Sequence, residues 1–126
     1  MQIPETLRYS AEHEWVRDDG DVVTVGITDF AQESLGDVVF VQLPDVGAAV
    51  VANSAICEIE STKSVSDIYA PISGIVRTVN EDLGDQPELV NQDPYLAGWI
   101  MTIEPSDRAE LERLLDHAGY RALIEG

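Results

Sequence analysis

Short β-prone runs, each broken by glycine, proline or acidic turn residues, fill most of this chain, so it can fold into little other than a stack of short strands. Residues 13–17 and 21–27 flank Asp18-Asp19-Gly20, an acidic-glycine turn that predicts a hairpin. A strand over 38–43 ends at Pro44-Asp45-Val46-Gly47, and others are expected over 49–52, 54–61, 64–70, 75–79 and 99–103. Many short strands at such spacing point to a sandwich or a barrel. Thr28 or Asp29 can cap a short connecting helix through Leu35, with Gly36 placed to end it in a left-handed conformation. Only the tail reads clearly as helix. Ser106 can start a C-terminal helix over about 106–118, with Leu111, Leu114, Leu115 and Ala118 on one apolar stripe and Gly119 as its stop.

With 126 residues, 44% of them hydrophobic, the chain (1–126) is expected to be one domain with a modest core. Its net charge of −17 repels phosphate backbones and anionic headgroups, which argues against nucleic acid and membrane as partners and for basic protein surfaces. One cysteine allows no internal disulfide, and Met1-Gln2-Ile3-Pro4-Glu5 lacks the basic and apolar segments of a secretory signal. No apolar run approaches the roughly 20 residues that span a bilayer. A soluble protein of a reducing cytoplasm is expected.

Lys63 is the only lysine, and the other six cations are arginine. Arginine supplies positive charge as well as lysine does, but only the lysine amine is readily acylated or forms a Schiff base. If Thr62-Lys63 is a two-residue hairpin loop, then Ser61 faces Ser64, Ile59 faces Ser66, Glu58 faces Asp67 and Cys57 faces Ile68. Alternation places Ala55, Cys57, Ile59 and Ile68 inward and Glu58 and Asp67 outward, so Cys57 reads as a core residue. A Schiff-base lysine needs burial or a neighbouring cation, whereas this one sits on an exposed turn among Glu58, Glu60 and Asp67. An exposed turn is instead where a modifying enzyme can grip the chain and acylate the amine.

The segment Glu60-Ser61-Thr62-Lys63-Ser64-Val65-Ser66-Asp67-Ile68-Tyr69-Ala70-Pro71-Ile72-Ser73-Gly74 resembles the lipoyl-lysine hairpin of the glycine cleavage system H protein family. The similarity extends to Tyr9-Ser10-Ala11-Glu12-His13-Glu14-Trp15-Val16, to the stretch from Val25 to Val41, to Leu43-Pro44 and to Pro87-Glu88-Leu89-Val90-Asn91, Asp93-Pro94-Tyr95 and Gly98-Trp99. Several motifs in the right order make it a specific match. It implies a mainly β, lipoyl-domain-like barrel-sandwich hybrid of two small antiparallel sheets, with a short connecting helix and a C-terminal helix lying outside. It also implies lipoate joined to Lys63 by an amide, and a shuttle rather than an enzyme. The implied partners are a lipoate-attaching enzyme, a pyridoxal-phosphate glycine decarboxylase, a tetrahydrofolate-dependent aminomethyltransferase and a flavin-dependent dihydrolipoamide dehydrogenase.

In the family the loaded arm folds into a cleft on the carrier, and Glu14 and Asp67 occupy the matching acidic positions. Glu12 lies where the family varies. His13 is expected as a strand residue near Trp15, and no histidine or cysteine stands at metal-ligand spacing. Trp15 and Trp99 read as core or cleft aromatics. A biotin carrier would place methionine on each side of the lysine, and the flanks here are Thr62 and Ser64. A lipoyl domain of a 2-oxo acid dehydrogenase would usually carry aspartate before the lysine and lack the His13-Glu14-Trp15 segment. The remaining alternatives are an unmodified acidic interaction module and a relay that passes lipoyl or octanoyl groups to other enzymes. A monomer is expected of a mobile shuttle.

Overall fold

The computed structural model describes residues 1–126, with nine strands in two antiparallel sheets. In chain order the elements are β1 (Arg8–Tyr9), β2 (Glu14–Asp18), β3 (Val23–Ile27), α1 (Asp29–Leu35), β4 (Val38–Gln42), β5 (Ala49–Val50), β6 (Ala55–Ser61), β7 (Val65–Tyr69) and β8 (Gly74–Val79). Two single-turn helices, α2 (Asp82–Asp85) and α3 (Leu89–Gln92), lead to β9 (Met101–Pro105), a 3-10 turn (Arg108–Arg113) and α4 (His117–Glu125). The larger sheet runs β1-β2-β3-β9-β8-β5 and the smaller one β4-β6-β7. They pack as a sandwich without closing into a barrel, which agrees with the mainly β barrel-sandwich hybrid of two antiparallel sheets implied above, the larger sheet having six strands and the smaller three.

Strand alternation explains the core. Val16, Val25 and Ile27 of the larger sheet meet Val41, Cys57, Ile59 and Ile68 of the smaller one in a single buried cluster. Each such aliphatic side chain contributes about 1.5–3 kcal/mol on full burial. The alternate residues of β1 and β2 face the other way. Tyr9 and Trp15 form a second buried cluster with Tyr95 and Tyr120 on the outer side of the larger sheet, where α4 packs.

The tail is not one helix over 106–118; Leu111, Leu114 and Leu115 do turn inward, but Ala118 is exposed. Leu115 exchanges two 2.8 Å backbone hydrogen bonds with Tyr9, which takes its backbone out of any helix. Asp116 then starts α4 anew, its carboxylate accepting from the Gly119 N–H at 2.7 Å, so Gly119 lies inside a helix and ends none. The inward placement of Ala55 also fails. A bulge between Ala55 and Cys57 adds a residue, reverses the parity and leaves Ala55 exposed.

Gly74 marks where the larger sheet is tightest. A Cβ there would lie 2.1 Å from the Glu104 carbonyl oxygen and 2.7 Å from the Ile103 side chain. Gly74→Ala must therefore push β8 off β9, and is expected to lower unfolding free energy by about 3 kcal/mol in urea titrations. Gly84→Ala in α2, where nothing lies within 4 Å of the added Cβ, is the matched control and should be neutral or slightly stabilising.

Candidate functional site: the Lys63 hairpin and its cleft

β6 and β7 pair in the register read from the sequence, with Cys57 opposite Ile68, Glu58 opposite Asp67 and Ile59 opposite Ser66. The turn is closed by the Ser61 N–H donating to the Ser64 carbonyl at 2.8 Å. The buried Ser61 hydroxyl oxygen accepts from the Lys63 and Ser64 amides at 3.2 and 3.1 Å, and Thr62 N–H donates to the Asp37 carbonyl at 3.0 Å. The tip is thus fixed by its own serine and tied to the segment leading into β4. Lys63 is exposed and joins no salt bridge.

Its stem lies over Gly36, the residue that ends α1 at φ 82°. A Cβ on Gly36 would come within 3.0 Å of the Lys63 Cε, so the missing side chain leaves the stem its path. Thr28 caps the other end of α1, its hydroxyl accepting from the Ala31 N–H, as the sequence suggested.

Beside the hairpin opens a cleft of about 360 Å³. One wall is the turn into β2, with Glu12, His13 and Glu14. Another is α1, with Phe30, Ala31 and Ser34, and the third is β7, with Ser66, Asp67 and Tyr69. β7 is the edge of the smaller sheet, and its Tyr69 N–H turns away from β6 to donate to the Glu14 Oε2 at 3.3 Å. Ser10 Oγ donates to the other carboxylate oxygen at 2.5 Å and accepts from the Glu14 backbone N–H at 3.1 Å. Glu14 is only 2% exposed, and burial pushes its carboxyl up from 4.5 to about 7 despite those two donors. A buried acid half-ready to ionise next to open space is suited to receiving a cation. Asp67 stands exposed at the cleft margin.

Glu14, Asp67 and the Lys63 turn are thus brought together, and Glu12 joins them on the cleft wall. His13 does not sit on a strand near Trp15. It occupies a turn at φ 73°, its ring 4.8 Å from Phe30 and its Nδ1 2.8 Å from the Tyr120 hydroxyl; burial holds its imidazole below the usual range. Trp15 is fully buried on the far side of the larger sheet, its Nε1–H donating to the Pro94 carbonyl at 2.9 Å, and Trp99 packs against the same cluster, so neither tryptophan lines the cleft. α1 does more than connect β3 to β4, since it walls the cleft. Phe30, Ala31 and Ser34 fall on one face at helical spacing, a signal present in the sequence. No group of three histidine, cysteine or acidic side chains is placed to hold a metal.

Residues 7–126 match the sequence family described as Glycine cleavage H-protein. The chain is 57% identical over 125 residues to the glycine cleavage system H protein of Anaeromyxobacter sp. strain K, covering 99% of this chain and 98% of that one. It is 59% identical over 127 residues to the H protein of Mycobacterium avium strain 104, covering 97% and 96%. The crystal structure of the H protein from Mycobacterium marinum superposes with a TM-score of 0.89 at 42% identity, covering 98% of this chain and all of that one. With its cleft-side hairpin and its sandwich alike matched from end to end, the chain belongs to the glycine cleavage H-protein family, lipoyl-carrying components of the glycine cleavage system that are carriers and not catalysts.

Proposed function

We propose that this chain is a single lipoyl-carrying domain that holds lipoate as an amide on Lys63 and shelters the loaded arm in the cleft bounded by Glu14 and Asp67. The observation that carries this reading is the placement of the chain's only ε-amine on a fixed, exposed turn beside a cleft that contains a buried acid. The site fits the group: the cleft is about half apolar by residue, as a C8 acyl chain requires, and its polar end is acidic, as an amine requires. The attached group would supply a dithiolane that takes up an aminomethyl group and electrons at one enzyme and delivers them at others.

The chain's own residues do the rest. Lys63 supplies the tether, which raises the local concentration of the reactive sulfur at each partner without tight binding. Glu14 offers a carboxylate to the amine in a site poor in water, where a charge-assisted hydrogen bond is strongest. Holding the amine as ammonium removes the lone pair that would expel the sulfur, and shielding excludes the water that completes the loss of formaldehyde and ammonia. Asp67, being exposed, adds a weaker and salt-sensitive attraction. The partners in this reading are a lipoate-attaching enzyme, glycine decarboxylase, aminomethyltransferase and dihydrolipoamide dehydrogenase. The dense negative charge speeds their transient encounters if they present basic surfaces. No helix is long and apolar enough to cross a membrane, and a cytoplasmic setting is part of the same proposal.

Intact mass before and after incubation with lipoic acid, ATP and a lipoate ligase tests the tether. One lipoyl adduct is expected, and peptide mapping should place it on Lys63. No adduct on folded protein would defeat the carrier reading and leave an unmodified acidic interaction module.

A further inference from the structure

A buried polar cluster of His13, Thr28 and Tyr120 adjoins the turn that carries Glu14. Tyr120, from α4, is wholly buried and points its hydroxyl between two residues of the cleft frame. The hydroxyl lies 2.8 Å from the His13 Nδ1 and 2.7 Å from the Thr28 Oγ1, itself the cap of α1. His13 immediately precedes Glu14, and its ring leans on Phe30 of α1. One phenol from the far end of the chain therefore clamps the Glu14-bearing turn to the helix across from it.

The hydroxyl is not needed for α4 to dock. The ring of Tyr120 stacks on Tyr9 with centroids 4.6 Å apart and planes 12° from parallel, and α4 is also held by Ile124 and by the Leu115 bridge. A phenylalanine would keep all of these. The hydrogen bonds serve the turn instead, adding to the backbone bonds from the His13 N–H to the Ser10 carbonyl at 3.2 Å and from the Thr28 N–H to the His13 carbonyl at 3.0 Å that hold His13 in the left-handed region. Without the hydroxyl those backbone bonds remain, but the His13 ring loses its anchor and the turn loosens, letting the Glu14 carboxylate shift against Ser10 and the Tyr69 amide that now fix it.

We propose that Tyr120 is a positioning residue for the cleft: its hydroxyl, shared between His13 and Thr28, holds Glu14 against α1 and so sets how long a loaded arm is sheltered. The inference rests on the cleft reading above. The C-terminal helix then acts as a brace for the site and is not mere outer packing.

The test is Tyr120→Phe in the lipoylated protein, followed by the lifetime of its aminomethylated form. Both hydrogen bonds of the hydroxyl are lost, and a fall of about fivefold is expected, about 1 kcal/mol of their effect reaching the cleft. In the unmodified protein the His13 imidazole nitrogen signals should shift, showing the bond lost before any arm is attached. Lipoate attachment at Lys63, on the hairpin, should proceed at the wild-type rate. Ile124→Ala serves as comparison, since it loosens α4 and keeps the hydroxyl. If it shortens the lifetime as much as Tyr120→Phe does, the effect is general loosening and the positioning role is wrong. If Tyr120→Phe matches wild type while Glu14→Gln shortens the lifetime, the inference fails and the cleft reading stands. If neither variant changes it, the cleft reading itself fails.

Discussion

Lys63→Arg is expected to abolish lipoate attachment completely and, with it, all carriage of the aminomethyl group, while leaving the fold in place. The effect is all-or-none because no second ε-amine exists in the chain and a guanidinium is not acylated by the chemistry that acylates an amine. The structure explains why the fold should not notice. The Lys63 side chain is exposed and unpaired, and the turn beneath it is held by the Ser61 hydroxyl and the Ser61 and Thr62 amides, none of which depends on the side chain at 63. Unfolding free energy should change by no more than about 0.5 kcal/mol. The measurement pairs urea titration with glycine-dependent carbon dioxide exchange by glycine decarboxylase. Residual exchange at more than trace level in the variant would show that the tether is not Lys63.

The second large effect belongs to Glu14, where stability and function should move in opposite directions. Burial raises its carboxyl from 4.5 to about 7, so between these values the native state holds a proton that the unfolded chain has released. The stability contributed by the neutral carboxyl is fully present below pH 4.5 and is lost as pH rises through 7. Glutamine never ionises, so Glu14→Gln should be more stable than wild type at pH 8, by up to about 3 kcal/mol, and no more stable at pH 4. The loaded arm should respond in the reverse sense. An amine in the cleft needs the carboxylate charge, and its loss should shorten the lifetime of the aminomethylated form about tenfold at pH 8. The gap should close in acid, where wild-type Glu14 takes up its proton and the amine stays protonated unaided. A lifetime ratio that is flat with pH would show that Glu14 acts by shape and not by charge.

The parts of this site that were legible in the sequence are those fixed within a few residues. The β6–β7 register follows from alternation and a two-residue turn, and Thr28 and Gly36 bracket α1 by local capping chemistry. Lys63 stands out through its uniqueness alone. What stayed hidden is non-local. Leu115 is drawn out of a helix by the backbone of Tyr9, from the opposite end of the chain, against an apolar stripe that argues for helix. The burial of Glu14 depends on the edge of β7, which no pattern around Glu14 announces. His13 could be read as a strand residue because alternation continues through it, and only the fold reveals its left-handed turn. The family similarity pointed to Glu14 and Asp67 together, and the structure separates them into a buried acid and an exposed one.

The free edge of β7 bears on the fate of a crowded solution. An unpaired strand is a template for a second chain, and a carrier that polymerised through it would lose its hairpin to its neighbours. Here the edge already gives its Tyr69 amide to Glu14, and the outward row beside it carries Glu58 and Asp67 with no cation between them. Two copies laid edge to edge would press those acidic rows together, a repulsion that the overall charge of −17 deepens. The strand that frames the cleft is thereby defended against aggregation by the same acidity that borders the cleft, and neutralising Asp67 and Glu58 would remove that defence.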